Sequence, residues 1–242
     1  MKYQPLENYG IIGDLNTVAL VALNGSIDYM CFPNFDSPTI FAALLDAEKG
    51  GKFQIFPAFT QMKTKQLYLP DTNVLLTRFL SKDGVGEITD FMPVEALYGD
   101  GKELIRRVTT VRGDVHYKLL CQPRFNYARS KHTTEIISDT EIIFTSEGED
   151  KTVIKLLSTV PLRVVDNDTV AEFTLSSTKT ADFLLENVDK NHSHERDFKA
   201  FVTESMFKTV NYWKDWVAQS NYHGRWMETV NRSALVLKLL TS

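Results

Sequence analysis

Apolar and polar residues alternate in short runs along the first 186 positions, and these runs predict strands joined by tight turns. Residues 18–23 and 27–32 flank Asn24-Gly25, a dipeptide that favours a type I′ turn, so a β-hairpin is predicted there. Further strands are predicted at 73–80, 85–91, 104–111, 115–122, 135–138, 141–145, 153–158, 170–175 and 181–185. Strands at this spacing predict a mainly β fold, a large antiparallel β-sandwich.

Residues 36–45 interrupt the strand pattern with the signals of a short helix. Ser37 can cap its first turn and Pro38 suits the position that follows. Ile40, Phe41, Leu44 and Leu45 then fall on one helical face. A helix is therefore predicted between the hairpin and the next strands.

The pattern changes near residue 190, where a polar segment (187–196) leads into helical spacing over 198–219 and 225–240. The final helix is apolar on more than one side, which predicts neighbours on several sides. The predicted organisation is a β domain over 1–190, a linker with a helix over 191–221, and a helix over 222–242 that begins a second domain.

The composition is that of a globular protein. The chain has 242 residues, of which 43% are hydrophobic, and its 27 basic and 31 acidic residues give a net charge of −4. Because no long Lys or Arg run is present, nucleic acid is not an expected partner. The first ten residues have no signal-peptide pattern and no window matches a membrane span, so a cytoplasmic protein without a membrane partner is predicted.

Metal and cofactor chemistry have little support in the sequence. Cys31 and Cys121 lie in apolar surroundings that favour buried, reduced thiols. His192, His194 and Glu195 could form a metal cluster with Asp197, but their polar surroundings favour a solvated linker. We therefore predict no cofactor and no metal site.

The acidic residues show no local pattern for a pair of catalytic carboxyl groups. Asp14, Asp28, Asp36 and Asp90 are at strand ends or turns, where carboxylates are common for solvation and local hydrogen bonding. The ordinary interpretation is favoured for each of them.

Two polar segments could bind hydroxyl groups or line a domain edge. Asp36 and Ser37 lie at the end of the first hairpin, where the alternative role is helix capping. The segment that follows residue 122 carries four side chains able to bind hydroxyls, although arginine in a β-protein also forms surface ion pairs. These four candidates are Arg124, Asn126, Tyr127 and Arg129.

All three tryptophans, Trp213, Trp216 and Trp226, lie within one stretch of 14 residues in the helical region. Aromatic faces can stack on sugar rings, but aromatics near a helical linker also anchor one domain on another. The domain-interface role is the favoured interpretation.

A series of motifs in order along the chain resembles the N-terminal part of family 15 glycoside hydrolases, the glucoamylase and trehalase-like proteins. The motifs include Tyr9-Gly-Ile-Ile-Gly-Asp14, Gly25-Ser-Ile-Asp-Tyr29, Phe35-Asp-Ser-Pro38, Asp90-Phe-Met-Pro93, Pro123-Arg-Phe-Asn-Tyr-Ala-Arg129 and Arg232-Ser-Ala-Leu-Val-Leu-Lys-Leu-Leu240. The sequence departs from the family pattern at Tyr29, Asn34, Asn126 and Ala128, where Trp, Arg, Asp and Gly are usual.

The resemblance implies an N-terminal β-supersandwich, a linker and a catalytic barrel of paired helices, with the segment 225–240 as the first barrel helix. It also implies inverting hydrolysis of α-glucosides by two glutamates. Both glutamates lie beyond the equivalent of Ser242, so no catalytic residue is assigned to this chain.

Three hypotheses follow. The first is the N-terminal domain of a glucosidase, which stabilises a C-terminal catalytic domain and contributes to its active-site rim through the two polar segments. The second is a stand-alone carbohydrate-binding module. The third is a structural protein that forms a homo-oligomer through its final helix.

Overall fold

The computed structural model describes residues 3–94, 102–149, 151–188 and 197–241. Within these ranges, strands form two antiparallel sheets of eight strands each. The first sheet has the order β1-β2-β3-β5-β10-β15-β14, with β4 paired to β3. Its strands are β1 (Tyr9–Gly13), β2 (Val18–Ala22), β3 (Ser26–Cys31), β4 (Thr39–Phe41), β5 (Phe53–Pro57), β10 (Val115–Cys121), β14 (Arg163–Val165) and β15 (Asp168–Leu175).

The second sheet has the order β11-β12-β13-β16-β9-β8-β7-β6. Its strands are β6 (Lys63–Tyr68), β7 (Leu75–Leu80), β8 (Val85–Phe91), β9 (Glu103–Arg112), β11 (His132–Ser138), β12 (Glu141–Ser146), β13 (Val153–Ser158) and β16 (Thr180–Asn187). A 3-10 turn (Leu6–Asn8), a short turn α1 (Phe125–Ala128) and the helices α2 (Phe198–Val217) and α3 (Met227–Leu239) complete the described elements.

The core lies between the two sheets because each strand turns alternate residues inward. Along β10, Val115, Tyr117 and Leu119 are buried, whereas His116 and Lys118 are exposed. Both thiols, Cys31 and Cys121, are buried and free. The predicted mainly β sandwich followed by helices is confirmed, and so are the predicted buried thiols.

A fully buried ion pair lies in the core. Arg106 of β9 and Asp90 of β8 are both inaccessible to solvent, with Nε and Nη2 of Arg106 lying 2.8 and 3.3 Å from the two Asp90 carboxylate oxygens. The guanidinium also donates to the carbonyl oxygens of Phe53 (2.6 Å) and Gly25 (2.8 Å) in the opposite sheet. This one side chain therefore joins the two sheets.

Helix α2 covers the outer face of the second sheet. Its Phe201 and Val202 pack on Ile105 of β9 and Leu184 of β16. At the edge of this contact, Arg107 lies 2.6 Å from an Asp182 carboxylate oxygen and 3.2 Å from the Thr203 hydroxyl of α2. Both faces of β9 are therefore buried near residue 105, which explains the uninterrupted burial of residues 103–106.

The predicted helix over 36–45 is wrong. Residues 39–41 form β4 instead, which pairs with β3 through the partners Met30–Phe41 and Cys31–Thr39. Strand β5 pairs only with Ser26 and Ile27 of β3, so the second half of β3 has backbone groups open to pairing. Satisfying these buried groups outweighs the local helix signals, because unpaired backbone groups are costly in a core.

The first hairpin is confirmed, but its turn is not of type I′. Among the loop residues 23–25, only Gly25 has a positive φ, at 77°. The N–H of Gly25 donates to the Ala22 carbonyl at 2.9 Å. A three-residue loop that ends in a left-handed glycine fits these values. A Cβ at Gly25 would lie 2.1 Å from the Ile55 carbonyl oxygen, so glycine is required there.

We predict that Arg106→Met lowers the free energy of unfolding by about 3–5 kcal/mol, because it leaves the buried Asp90 carboxylate without its partner. Arg78→Met is the matched control, since it removes a partly exposed ion pair between Arg78 of β7 and Glu87 of β8 and should cost less than the loss at Arg106, about 1 kcal/mol. Urea unfolding of both variants measures the difference. Equal losses would contradict the role given to Arg106.

Candidate functional site

The segment after β10, predicted as a hydroxyl-binding candidate, forms one turn of left-handed helix. The φ angles of Asn126, Tyr127 and Ala128 are 51°, 58° and 61°. Outside glycine, this conformation costs roughly 1–2 kcal/mol per residue, although asparagine tolerates it. The turn is therefore stable only because its surroundings hold it.

Contacts from two directions hold the turn. Arg124 at its start forms a two-pronged ion pair with Asp168, at 2.6 and 3.0 Å, and Gln122 donates to the same carboxylate at 2.6 Å. The N–H of Tyr127 donates to the Thr39 hydroxyl of β4 at 2.9 Å. Arg124 is thus engaged in a structural ion pair, while Tyr127 projects outward with 43% of its surface exposed.

The two polar segments of the sequence meet at β4. Asp36 is exposed and lies three residues before Thr39, so its Cα is within about 11 Å of the residue that holds Tyr127. The Ser37 hydroxyl accepts from the N–H of Asn34 at 3.1 Å and closes the loop, instead of capping a helix. The fold therefore brings together segments that are about 90 residues apart in sequence.

Tyr29 is a second tyrosine near Tyr127. Its hydroxyl lies 3.5 Å from the Cys31 sulfur. The hydrogen bond with Cys31, burial and the neighbouring Tyr127 all raise the pKa of Tyr29, so it stays neutral. Arg129 lies with its guanidinium 5.9 Å from the centre of the Tyr127 ring. We name the surface formed by Tyr29, Phe35, Asp36, Tyr127 and Arg129 the tyrosine edge.

The turn between β1 and β2 links the tyrosine edge to the end of α3. Asp14 accepts from the N–H groups of Asn16 and Thr17 at 2.9 and 2.8 Å; burial raises its pKa, and these bonds oppose that rise. The Asn16 carbonyl accepts from the N–H of Phe35 at 2.7 Å. Leu15, in the same turn, packs in the cluster that contains Leu239 of α3. Contacts through this turn therefore connect Phe35 of the tyrosine edge to the end of α3.

Helix α3 is fixed to the turn between β6 and β7. Arg232 donates to the Thr72 carbonyl at 2.7 Å and lies 4.0 Å over the Tyr68 ring, and it also bonds the Asn73 side chain. Asn73 in turn donates to the Leu235 carbonyl at 3.2 Å. One face of α3 is thereby held against the sandwich by polar as well as apolar contacts.

The three tryptophans differ in their environments. Trp213 is fully buried in a cluster with Val217, Leu235 and Leu239, so it joins α2 to α3. Trp216 is partly buried beside this cluster. Trp226 is 61% exposed.

The side of α3 that faces away from the sandwich carries four exposed apolar residues. They are Trp226, Val230, Leu237 and Leu240, of which Leu237 is 66% exposed, and the polar Ser233 is exposed between them. They recur at helical spacing, opposite the buried face of Leu235 and Leu239. We name these four residues the outer stripe. The apolar surface that the sequence pattern indicated on several sides of this helix is therefore present.

Two clefts lie along α2, and Trp216 lines both. One, of about 230 Å³, is bounded by the start of α3 and includes Asn231 and Ala234. The other, of about 470 Å³, includes Lys208 and Asp215. Asp215 is the one acidic residue among the side chains that line them, so neither cleft offers a carboxylate pair.

Buried carboxylates of the described residues all have partners. Asp14, Asp28 and Asp90, for which the sequence predicts solvation or local hydrogen bonding, are buried, and each accepts hydrogen bonds from nearby groups in place of solvation. Asp28 accepts from Tyr9 at 2.8 Å and also from Ser26. The other buried acids are Asp168, Asp182 and Glu103; Arg124 and Arg107 pair with the two aspartates, and Glu103 is likewise not free.

Parts of the predicted linker lie outside the described residues, including His192, His194, Glu195 and the domain boundary near 190. Asp197 is described and caps α2 by accepting from the N–H groups of Lys199 and Ala200. No helix among the described residues has the length and apolar character needed to cross a membrane.

The fold is a two-sheet antiparallel sandwich followed by C-terminal helices, which is the class of fold that the resemblance to family 15 glycoside hydrolases implied. Residues 1–169 match the family described as trehalase-like, N-terminal. The chain therefore belongs to the trehalase-like N-terminal domain family.

Its similarity to full-length relatives runs through the helices as well. It is 34% identical to a trehalase of Thermoplasma volcanium over 98% of this chain and 33% identical to a trehalase of Thermoplasma acidophilum over 91%. It is also 24% identical to a trehalase of Mycobacterium tuberculosis over 99% of the chain. The chain spans about 38% of the length of each of these relatives.

Sequence reasoning missed the residues that hold the site. Asp168 and Thr39 show no local motif, because their roles depend on Arg124 and Tyr127, which are distant in sequence. Arg106 did carry a signal, since it alternates with the apolar Leu104 and Val108 and so occupies an inward position.

We predict that Ala128→Gly raises the free energy of unfolding by about 0.5–1 kcal/mol, because glycine removes the left-handed strain at φ 61°. Ala58→Gly is the control, since Ala58 is exposed in a loop but has no positive φ and should lose stability instead. Thermal or urea unfolding distinguishes the two. A loss of stability in both variants would rule out strain at Ala128.

Proposed function

We propose that this chain is the non-catalytic N-terminal domain of a trehalose-hydrolysing protein. In this proposal, α3 is the first helix of a following catalytic barrel, the sandwich stabilises that barrel, and the tyrosine edge contributes to the rim of its active site. The observation that carries the proposal is the outer stripe of α3, an apolar surface on a helix already fixed to the sandwich.

The stripe supports a following domain because exposed apolar rows on a folded protein mark contact surfaces. The occupant in this proposal is chain that follows residue 242, since the matched region is about 38% of the length of the trehalase relatives. Trp213 and Arg232 hold α3 firmly enough to serve as a platform. The tryptophans then act as interface residues, with Trp213 inside this domain and Trp226 facing the next.

The non-catalytic role is supported by the carboxylates. Inverting hydrolysis needs one protonated and one ionised carboxyl group on either side of the sugar, with room for a water molecule. The buried carboxylates of the described residues are instead held by structural partners such as Arg106 and Arg124. The acid and base of the reaction therefore belong to the following domain.

Trehalase activity, measured with and without the chain beyond residue 242, tests whether catalysis lies outside this domain. The coding sequence continued beyond residue 242 should release glucose from trehalose, whereas the 242-residue chain should release none. Maltose, isomaltose and dextran serve as competing substrates in the same assay. Glucose release by the 242-residue chain alone would contradict the non-catalytic role, and an inactive extended protein would contradict trehalose hydrolysis.

A charge in the outer stripe tests the docking surface. Leu237→Glu should leave the melting temperature of the 242-residue chain nearly unchanged, because the side chain is exposed there. In the extended protein, it should lower stability by roughly 2 kcal/mol or more, because burying an unpaired charge is costly. Ile137→Glu, at an exposed apolar position on β11, is the control and should be neutral in both proteins. Equal effects of Leu237→Glu in the two proteins would contradict the assignment.

A further inference from the structure

The tyrosine edge contains side chains for which the sandwich has no structural use. Arg129 contacts the Tyr127 ring and has no ion pair among the described residues, and Asp36 is exposed in its loop. Phe35 and Tyr127 are large aromatic side chains that are each exposed to solvent. Their neighbours, in contrast, are all engaged: Arg124 with Asp168, and Ser37 with Asn34.

The backbone that presents Tyr127 is strained, and its supports are specific. Asn126, Tyr127 and Ala128 remain left-handed although glycine occupies none of the three positions. The Thr39 hydroxyl, which accepts from the N–H of Tyr127, and the Arg124–Asp168 ion pair at the start of the turn hold it in place. Strain of this kind persists only where the surroundings over-determine it, and it concentrates at ligand-binding sites.

The chemistry of the exposed groups selects the ligand. An aromatic ring packs on the C–H face of a pyranose, while a guanidinium and a carboxylate bind its hydroxyl groups. Arg129 and Asp36 contribute one positive and one negative charge, and Arg124 is neutralised by Asp168. The balance of charge suits an uncharged sugar and gives no excess attraction for a phosphorylated one.

We infer that the tyrosine edge is a saccharide contact site that binds a neutral pyranoside, with Tyr127 as the stacking surface and Arg129 and Asp36 as the hydroxyl-binding groups. Thr39 and Tyr29 are positioning residues, because they act through Tyr127. The choice of an α-glucoside such as trehalose rests on the proposed function, whereas the location of the site rests on the geometry of this chain alone.

Trehalose added to the 242-residue chain tests the inference. In ¹⁵N–¹H NMR spectra, millimolar trehalose should shift the amide signals of residues 34–37, 39 and 124–130. Tyr127→Asn keeps a residue that tolerates the left-handed conformation and should weaken binding about tenfold through loss of stacking. Arg129→Gln should weaken it similarly, and glucose 6-phosphate should bind no more tightly than glucose.

The controls come from a second aromatic and cationic group in the same chain. Arg225 lies 5.0 Å over the Trp226 ring, and Tyr222 is exposed nearby. Arg225→Gln and Tyr222→Asn should leave trehalose binding unchanged. Trehalose-induced shifts centred on Tyr222 and Trp226, or no shifts at all, would overturn the inference.

In the protein extended beyond residue 242, Arg129→Gln should raise KM for trehalose with kcat unchanged. An extended protein without activity would refute the proposed function but leave the NMR result valid.

Discussion

The fold depends on one buried cation. Arg106 is held by Asp90 in its own sheet and donates to the carbonyl oxygens of Gly25 and Phe53 in the other. Burying two charges is expensive, and the cost is offset only when the pair is closely matched and the remaining N–H groups find acceptors. The Asp90 carboxylate and the two carbonyl oxygens meet that requirement, and the guanidinium carbon also lies 4.8 Å from the centre of the Phe53 ring. The two sheets are therefore fixed relative to each other by directional bonds as well as by apolar packing.

The position of the tyrosine edge follows from the way in which Arg106 fixes the two sheets relative to each other. Gly25 ends the hairpin loop directly before β3, and Phe53 begins β5, so Arg106 fixes the place where these two strands meet. Their short pairing leaves the second half of β3 open for β4, and β4 supplies the Thr39 hydroxyl that holds Tyr127. A contact inside the core thus determines where an exposed side chain lies. The β1–β2 turn extends the same arrangement to the end of α3.

The sequence predicted the parts of this molecule that depend on local periodicity. Strands such as β8 and β13 have the expected bounds, because alternation along an amphipathic strand is visible within a few residues. Strand β4 could not be predicted, since Ser37 and Pro38 favour a helix locally and only the open side of β3 decides otherwise. The left-handed turn at Tyr127 was equally hidden, because its supports, Thr39 and Asp168, are distant in sequence. The candidate residues were found by type, whereas their grouping required the fold.

In the proposed function, the sandwich is a finished domain and the outer stripe of α3 is covered by the chain that follows. Hydrogen–deuterium exchange of the 242-residue chain and of the extended protein compares these surfaces directly. Amides of α3 (Met227–Leu239) should exchange at least about tenfold more slowly in the extended protein, because docking suppresses local opening. Those of β10 and β15 should exchange at the same rate in both proteins. Unchanged exchange in α3 would contradict the docking of the following chain on this helix.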